Sequence, residues 1–287
     1  MCGTCGCGAE AEVRLHAEPS ADIVDRRHEA RDDDGHEHDP RGGDGHERHG
    51  RGGDGHEPHG RGNDGGSRAV ILRHKVLAKN DALAERNRDW LRRRGILAVN
   101  LMSSPGAGKT TLLERTAREL AGQLVMSVIE GDQETALDAQ RIRSAGCRVV
   151  QVNTGSGCHL DAAMVARGLQ ALDPPSGSVV VIENVGNLVC PALFDLGEAA
   201  RVVIASVAEG GDKPLKYPQM FRRADLVLVN KTDLLPYVDF DLGRYRTDVS
   251  RVSPGATMLQ LSATTGDGMP QWYDWLGRGA VGPGAPG

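Results

Sequence analysis

Between an apolar run, Ile96–Met102, and a helical pattern, Thr110–Leu120, the chain reads SSPGAGKTT from Ser103 to Thr111. A glycine-bearing loop ending in Lys-Thr, set between a strand and a helix, leaves few folds open. Its backbone N–H groups must converge on an anion at a helix N-terminus, and only a parallel α/β sheet presents loops that way. Pro105, Gly106, Ala107 and Gly108 form the cradle. Lys109 is placed to reach β and γ phosphates, Thr110 to ligate Mg²⁺ through its hydroxyl, and Thr111 to continue the first helical turn. Ser103 stands where such loops usually carry their first glycine.

The rest of the chain agrees with that architecture. Further apolar runs at Leu124–Ile129, Arg148–Val152, Val179–Ile182, Val202–Val207, Leu226–Val229 and Met258–Leu261 alternate with helical stretches such as Thr135–Ser144 and Asp161–Leu172. Runs that are almost continuously apolar fit parallel strands covered on both faces. The fold class expected is therefore α/β: a P-loop NTPase with a mostly parallel, doubly wound sheet flanked by helices. Ahead of the first strand, Leu72, Val76, Leu83 and Trp90 fall roughly on one helical face, with Gly95 as the stop.

Ligands of such sheets bind at the carboxyl ends of strands, where two more sets of residues stand. Asn230, Lys231 and Asp233 belong to the NKTD tetrapeptide that follows the run Leu226–Val229. A carboxylate at position 233 can accept two hydrogen bonds from the N1–H and 2-amino groups of guanine. Adenine lacks that donor pair, which favours GTP and GDP over ATP. Ser262 and Ala263 close over the base from the last strand. Asp132, after the second strand, and Glu183, opening the sequence ENVG, lie where Mg²⁺ and the γ-phosphate should be. Either one can ligate Mg²⁺ and either can orient water, so with Lys109 they are the candidate catalytic residues.

Residues 31–68 contain no Ala, Val, Ile, Leu, Met, Phe, Trp, Tyr or Cys, and carry a ten-residue repeat beginning at Gly35, Gly45 and Gly55. Such a stretch has no apolar surface to offset its ordering entropy and is expected to be disordered. The organisation expected is a cysteine-bearing segment at 1–30, this histidine-rich tract at 31–68, and a GTPase domain at 69–287. The net charge of −5 gives no reason to expect a nucleic-acid partner. No apolar run is long enough for a membrane span and no secretory leader is present, so a cytoplasmic, reducing location is expected. There, cysteines favour metals over disulfides.

Cys2, Cys5 and Cys7 form a CxxCGC cluster whose thiolates, with the α-amino group freed by removal of Met1, suit square-planar nickel; zinc and copper(I) also fit. A thioredoxin-like motif would need a preceding strand and a following helix, which are missing. His36, His38, His46, His49, His56 and His59 offer imidazoles for weak storage sites. Cys158 and His159 follow the third strand and Cys190 follows Glu183 by seven residues, so all three fall at the phosphate edge of the sheet as a second candidate metal site. Cys147 begins a strand and reads as an inert buried thiol.

Together CxxCGC, the histidine tract, SSPGAGKTT, EGDQET, TGSGCH, ENVGNLVCP and NKTDLLP resemble the HypB-type GTPases of nickel–iron hydrogenase maturation, along essentially the whole chain. The resemblance implies GTP hydrolysis and a homodimer favoured by GTP; turnover is expected to be slow without a partner, since no arginine finger is recognisable in cis. It implies a nickel or zinc site of Cys158, His159 and Cys190 at the dimer interface, and a tighter nickel site of Cys2, Cys5 and Cys7. It also implies two partners, a HypA-type maturation protein and the hydrogenase large-subunit precursor, and a function as a nickel metallochaperone. A urease-type nickel GTPase would be expected to carry Cys-Pro-His, and here Cys158 and His159 are adjacent. MinD-like ATPases need a lysine where Ser104 stands. A nickel buffer with a vestigial GTPase domain conflicts with intact Lys109, Thr110 and Asp233.

Overall fold

The computed structural model describes residues 13–15, 64–132, 137–155 and 157–281. Eight strands form one sheet: β1 (Val13–Leu15), β2 (Leu97–Ser103), β3 (Met126–Asp132), β4 (Arg148–Asn153), β5 (Val179–Glu183), β6 (Ala200–Ser206), β7 (Leu226–Asn230) and β8 (Thr257–Gln260). Their spatial order is β1-β4-β3-β5-β2-β6-β7-β8. From β4 to β8 every neighbouring pair is parallel. The short β1 adds one antiparallel edge, with Val13 opposite Val152 and Leu15 opposite Val150.

The helices are α1 (Asp64–Arg93), α2 (Lys109–Glu119), α3 (Leu137–Ser144), α4 (Ala162–Leu172), α5 (Lys213–Lys216), α6 (Pro218–Arg222), α7 (Leu242–Val252) and α8 (Met269–Val281). Alternate side chains of the strands feed opposite faces, as the two-residue period requires. On one face Leu101, Val128, Val181 and Ile204 pack with Leu112 and Leu113 of α2, Ile142 of α3 and Trp272 of α8. On the other face Ile129, Val150 and Ile182 meet Leu91 of α1 and Val165 of α4. Further along that face Val203, Val227 and Val229 meet Phe221 of α6 and Tyr245 of α7. Each such fully buried side chain contributes roughly 1.5–3 kcal/mol, so sheet and helices stand or fall together.

Two features depart from the sequence reading. The first is α1. Its buried stripe is Asn80, Ala84, Asn87 and Leu91, whereas Val76 is 50% exposed. The asparagines bury because they satisfy backbone groups: Asn87 Nδ2 donates to Ala162 O at 2.8 Å and to Leu196 O at 3.0 Å. Asn80 accepts from Ala162 N at 2.9 Å and donates to Asp195 O at 2.8 Å. Gly197 (φ 88°) lets the backbones meet there, since a Cβ on it would lie 2.4 Å from Ala84 O. The second departure is β3, which runs on through Glu130, Gly131 and Asp132 because their backbones pair with Gln151, Val152 and Asn153. Helix α1 begins at Asp64, inside the tract 31–68; the remainder of that tract lies outside the described residues. Among the described residues no helix is long and apolar enough to cross a membrane.

Candidate functional site

The turn from β2 into α2 is built on two glycines with positive φ, Gly106 at 75° and Gly108 at 98°. Only glycine enters that region freely. At Gly108 space is also short, because a Cβ would come within 2.5 Å of Asn230 Nδ2. Ser103, at the end of β2, accepts a hydrogen bond from Lys109 Nζ at 2.8 Å and donates to Ser104 O at 2.6 Å. The serine thus holds the lysine over the loop. Ser104 itself bonds Glu209, just beyond β6.

A cleft of about 430 Å³ opens over this loop, lined by Pro105, Gly106, Gly108, Lys109, Thr110 and Thr111 together with Asp138, Arg141, Glu183, Gly186 and Lys231. Thr110 Oγ1 donates to Glu183 Oε1 at 2.9 Å, and Glu183 Oε2 is buried without a partner. Burial pushes the Glu183 carboxyl up to about 7, against the pull of Lys109 and the Thr110 hydroxyl. Burial also lowers the Lys109 ammonium, with Glu183 opposing. A buried carboxylate with one free oxygen, next to a threonine hydroxyl, is a donor pair that a hard cation such as Mg²⁺ completes. Asp132 closes β3. Two residues before it Glu130 is 3% exposed, pairs in register with Glu183 across β3 and β5, and has one oxygen unpartnered. Burial, then Glu183, push its carboxyl up to about 8.

On the far side, Asn230 ties the loops together: its Nδ2 donates to Ala107 O at 2.8 Å and its Oδ1 accepts from Ala263 N at 3.0 Å. Lys231, with φ 61°, sends its Nζ to Gly106 O at 2.8 Å. Asp233 accepts from Ser262 Oγ at 2.6 Å. Asn230, Lys231, Asp233, Ser262 and Ala263 therefore converge beside the phosphate loop, as a base-binding wall requires.

Cys158, His159 and Cys190 come together, with one ligand atom from each lying within 4.8 Å of the others. Cys158 Sγ is 2.8 Å from Cys190 Sγ and 3.7 Å from His159 Nδ1. Sulfur and nitrogen ligands at about 2.0–2.3 Å from one ion lie roughly 3–4 Å apart; the Cys158–His159 spacing meets that, while the two sulfurs stand closer and would have to part to share an ion. His159 stacks on Phe194 with ring centroids 4.0 Å apart, and burial lowers its pKa, which favours the neutral, ligating imidazole. Cys147 is apart from this cluster: it is buried, bonds Met126 O at 3.3 Å, and is pushed up to about 12 by burial. Cys2, Cys5, Cys7, His36, His38, His46, His49, His56 and His59 lie outside the described residues.

The two clusters share one joint. Asn184, directly after Glu183, is 1% exposed. Its Oδ1 accepts from Leu160 N at 3.1 Å and Val185 N at 3.0 Å, and its Nδ2 donates to Asn100 Oδ1 at 3.3 Å. Leu160 follows His159 in the chain. Asn100 in turn donates to Glu198 at 3.3 Å, and Glu198 pairs with Arg201 at 2.6 Å. Sequence reasoning passed over Glu130, Asp138, Arg141 and Asn184. The Glu in EGDQET and the Asn in ENVG were in view, but neither carried a spacing signal of its own.

A family model described as CobW/HypB/UreG, nucleotide-binding domain, matches residues 97–260. The hydrogenase maturation factor HypB of Rhizobium leguminosarum bv. viciae is 54% identical over 209 residues, covering 73% of this chain and 70% of that protein. The hydrogenase maturation factor HypB of Escherichia coli (strain K12) is 53% identical over 201 residues, 70% of this chain and 69% of that one. The crystal structure of hydrogenase maturation factor HypB from Archaeoglobus fulgidus is similar with a TM-score of 0.66 and 40% identity, covering 70% of this chain and 98% of that one. That of HypB from Helicobacter pylori in complex with nickel gives a TM-score of 0.65 and 37% identity, covering 69% and 93%.

Proposed function

Because the chain belongs to the CobW/HypB/UreG nucleotide-binding family, and within it to the hydrogenase maturation factors HypB, we propose that it hydrolyses GTP and uses the cycle to deliver nickel to a hydrogenase large-subunit precursor. Lys109 and the loop Pro105–Thr111 hold the phosphates. Thr110 with Glu183 and Asp132 holds Mg²⁺ and positions water; Mg²⁺ supplies charge neutralisation at the transferring phosphoryl group. Asn230, Lys231, Asp233, Ser262 and Ala263 select guanine. Cys158, His159 and Cys190 carry nickel as cargo, with zinc as the competing occupant, in a homodimer favoured by GTP. Cys2, Cys5 and Cys7 form the tighter nickel site in segment 1–30, and the tract 31–68 with its six histidines is the reserve. Residues 69–287 act as the GTPase domain. The setting is the cytoplasm, with a HypA-type protein as partner.

The observation that carries this reading is the joint at the end of β5. Glu183 bonds Thr110, while the next residue, Asn184, bonds the backbone beside His159. Loops that sense a γ-phosphate reorder when it leaves, and Cys190 lies four residues beyond Gly186 on the same loop. Nickel affinity at Cys158, His159 and Cys190 is therefore expected to differ between nucleotide states, and nickel must shift the relative affinities for those nucleotides by the same factor. Competitive nickel titrations on a variant lacking Cys2, Cys5 and Cys7, with GDP and with a non-hydrolysable GTP analogue, test this. Indistinguishable affinities would refute the coupling.

A further inference from the structure

The phosphate cleft is lined by three cations, and the nucleotide reading uses only two of them. Lys109 is held by Ser103, and Lys231 donates to Gly106 O. The third is Arg141, which reaches the cleft from α3. Its NH2 group donates to Glu114 Oε2 at 2.9 Å and to Thr111 Oγ1 at 3.3 Å, and NH1 lies 3.6 Å from Asp138 Oδ1.

Thr111 and Glu114 are one turn apart on α2, and the guanidinium bridges them. Thr111 belongs to the first turn of α2, where unsatisfied N–H groups converge and anions bind. Arg141 NH2 thus rests 3.3 Å from a side chain of that first turn, in the lining of the cleft over the loop. Its present partners hold it lightly. The side chain of Arg141 is 46% exposed and that of Glu114 25%, and ion pairs so accessible to water are weak. A polyphosphate offers a better acceptor: its oxygens match the planar fork of donors and carry more charge than one carboxylate.

We propose that Arg141 is a phosphate ligand of the bound nucleotide, parked on Glu114 when the cleft is empty and moving one turn along α2 to the phosphates that GDP and GTP share. The shared phosphates are favoured over the γ-phosphate because Arg141 stands at Thr111, on the α3 flank of the cleft. The γ-phosphate side is instead formed by Glu183 and Gly186 from the end of β5. The proposal rests on nucleotide binding at this loop.

The test compares the full chain with Arg141→Ala, Arg141→Lys and Glu114→Gln, measuring affinity for GDP and for a non-hydrolysable GTP analogue in the presence of Mg²⁺, and the unfolding temperature without nucleotide. Loss of a charge-assisted contact predicts that Arg141→Ala binds both nucleotides about 10- to 100-fold more weakly, by the same factor, with Arg141→Lys in between. Glu114→Gln, which releases Arg141 and otherwise loosens only the exposed Arg118–Glu114 pair on α2, should bind as tightly as the wild type or more so. A purely structural clasp between the helices would instead make Glu114→Gln as harmful as Arg141→Ala, and that result would overturn the proposal. So would wild-type affinity in Arg141→Ala, or a loss confined to the GTP analogue. A wild-type chain that binds neither nucleotide removes the nucleotide reading itself, an outcome distinguishable from all of these.

Discussion

Replacing Asn184 by alanine should strike fold and coupling together, and the structure sets the size of the effect. The substitution removes the acceptor of Leu160 N and of Val185 N, and the donor to Asn100 Oδ1. Leu160 and Asn100 are fully buried at 0% exposure, so water cannot replace the lost partner of either. Val185 is half-buried and can recruit solvent. A buried polar group left unpaired costs about 1–3 kcal/mol. Two of them cost roughly 2–6 kcal/mol, a large part of the ~5–15 kcal/mol by which a domain is stable. For a domain of this size that lowers the midpoint of thermal unfolding by roughly 4–24 °C. Asn184→Asp keeps the acceptor for Leu160 N but, once ionised, cannot donate to Asn100 and buries a charge beside Glu183, so above neutral pH it should be at least as destabilising as alanine. Thermal unfolding of the three proteins without nucleotide, followed by nickel titration at a temperature where all are folded, measures both effects. A midpoint for Asn184→Ala within about 1 °C of wild type would mean that the joint bears no strain, and the argument from unpaired buried groups would be wrong.

Asp233→Asn should shift preference from guanine toward xanthine nucleotides, since an amide donor suits a 2-oxo group; competition titration with GDP and XDP reads it, and unchanged preference would remove Asp233 from the base wall. Deleting residues 31–63 should lower the number of nickel ions bound while leaving GTP hydrolysis intact, and a collapse of hydrolysis would place that segment in the fold. Glu130→Gln should flatten the pH dependence of stability of the nucleotide-free protein. The Glu130 carboxyl is pushed up to about 8, so between its unfolded value near 4.5 and pH 8 the folded state holds a proton that the unfolded chain has released. Stability then falls as pH rises, by up to about 1.4 kcal/mol per unit, a slope that urea unfolding at pH 5 to 8 should find in the wild type and find reduced in the variant.

What could be read from the sequence was whatever depends on apolar pattern and on motifs with a fixed backbone context. The runs from Ile96 to Leu261 became strands β2 to β8, because side chains buried on both faces leave no polar alternation. Cys158, His159 and Cys190 could be placed at one edge since loops after parallel strands all emerge on the same side. What depends on buried polar groups stayed hidden. Asn80 and Asn87 share the buried face of α1 with Ala84 and Leu91 while Val76 stays exposed and Leu83 and Trp90 are only part-buried, because an asparagine that satisfies a backbone group buries as well as a leucine. Glu130 and Asp132 looked like loop residues, yet hydrogen bonding to β4 keeps their backbone in the sheet. Strand β1 carries three residues, too few for any periodicity to register.

That short strand has a geometric consequence. It runs antiparallel to β4, so its first residue, Val13, lies opposite Val152 near the carboxyl end of β4, from which the chain proceeds to Cys158 and His159. With β1 on one side and β3 on the other, β4 has a hydrogen-bonded neighbour along both edges, so the strand that feeds Cys158 and His159 is an interior strand and not an open sheet edge.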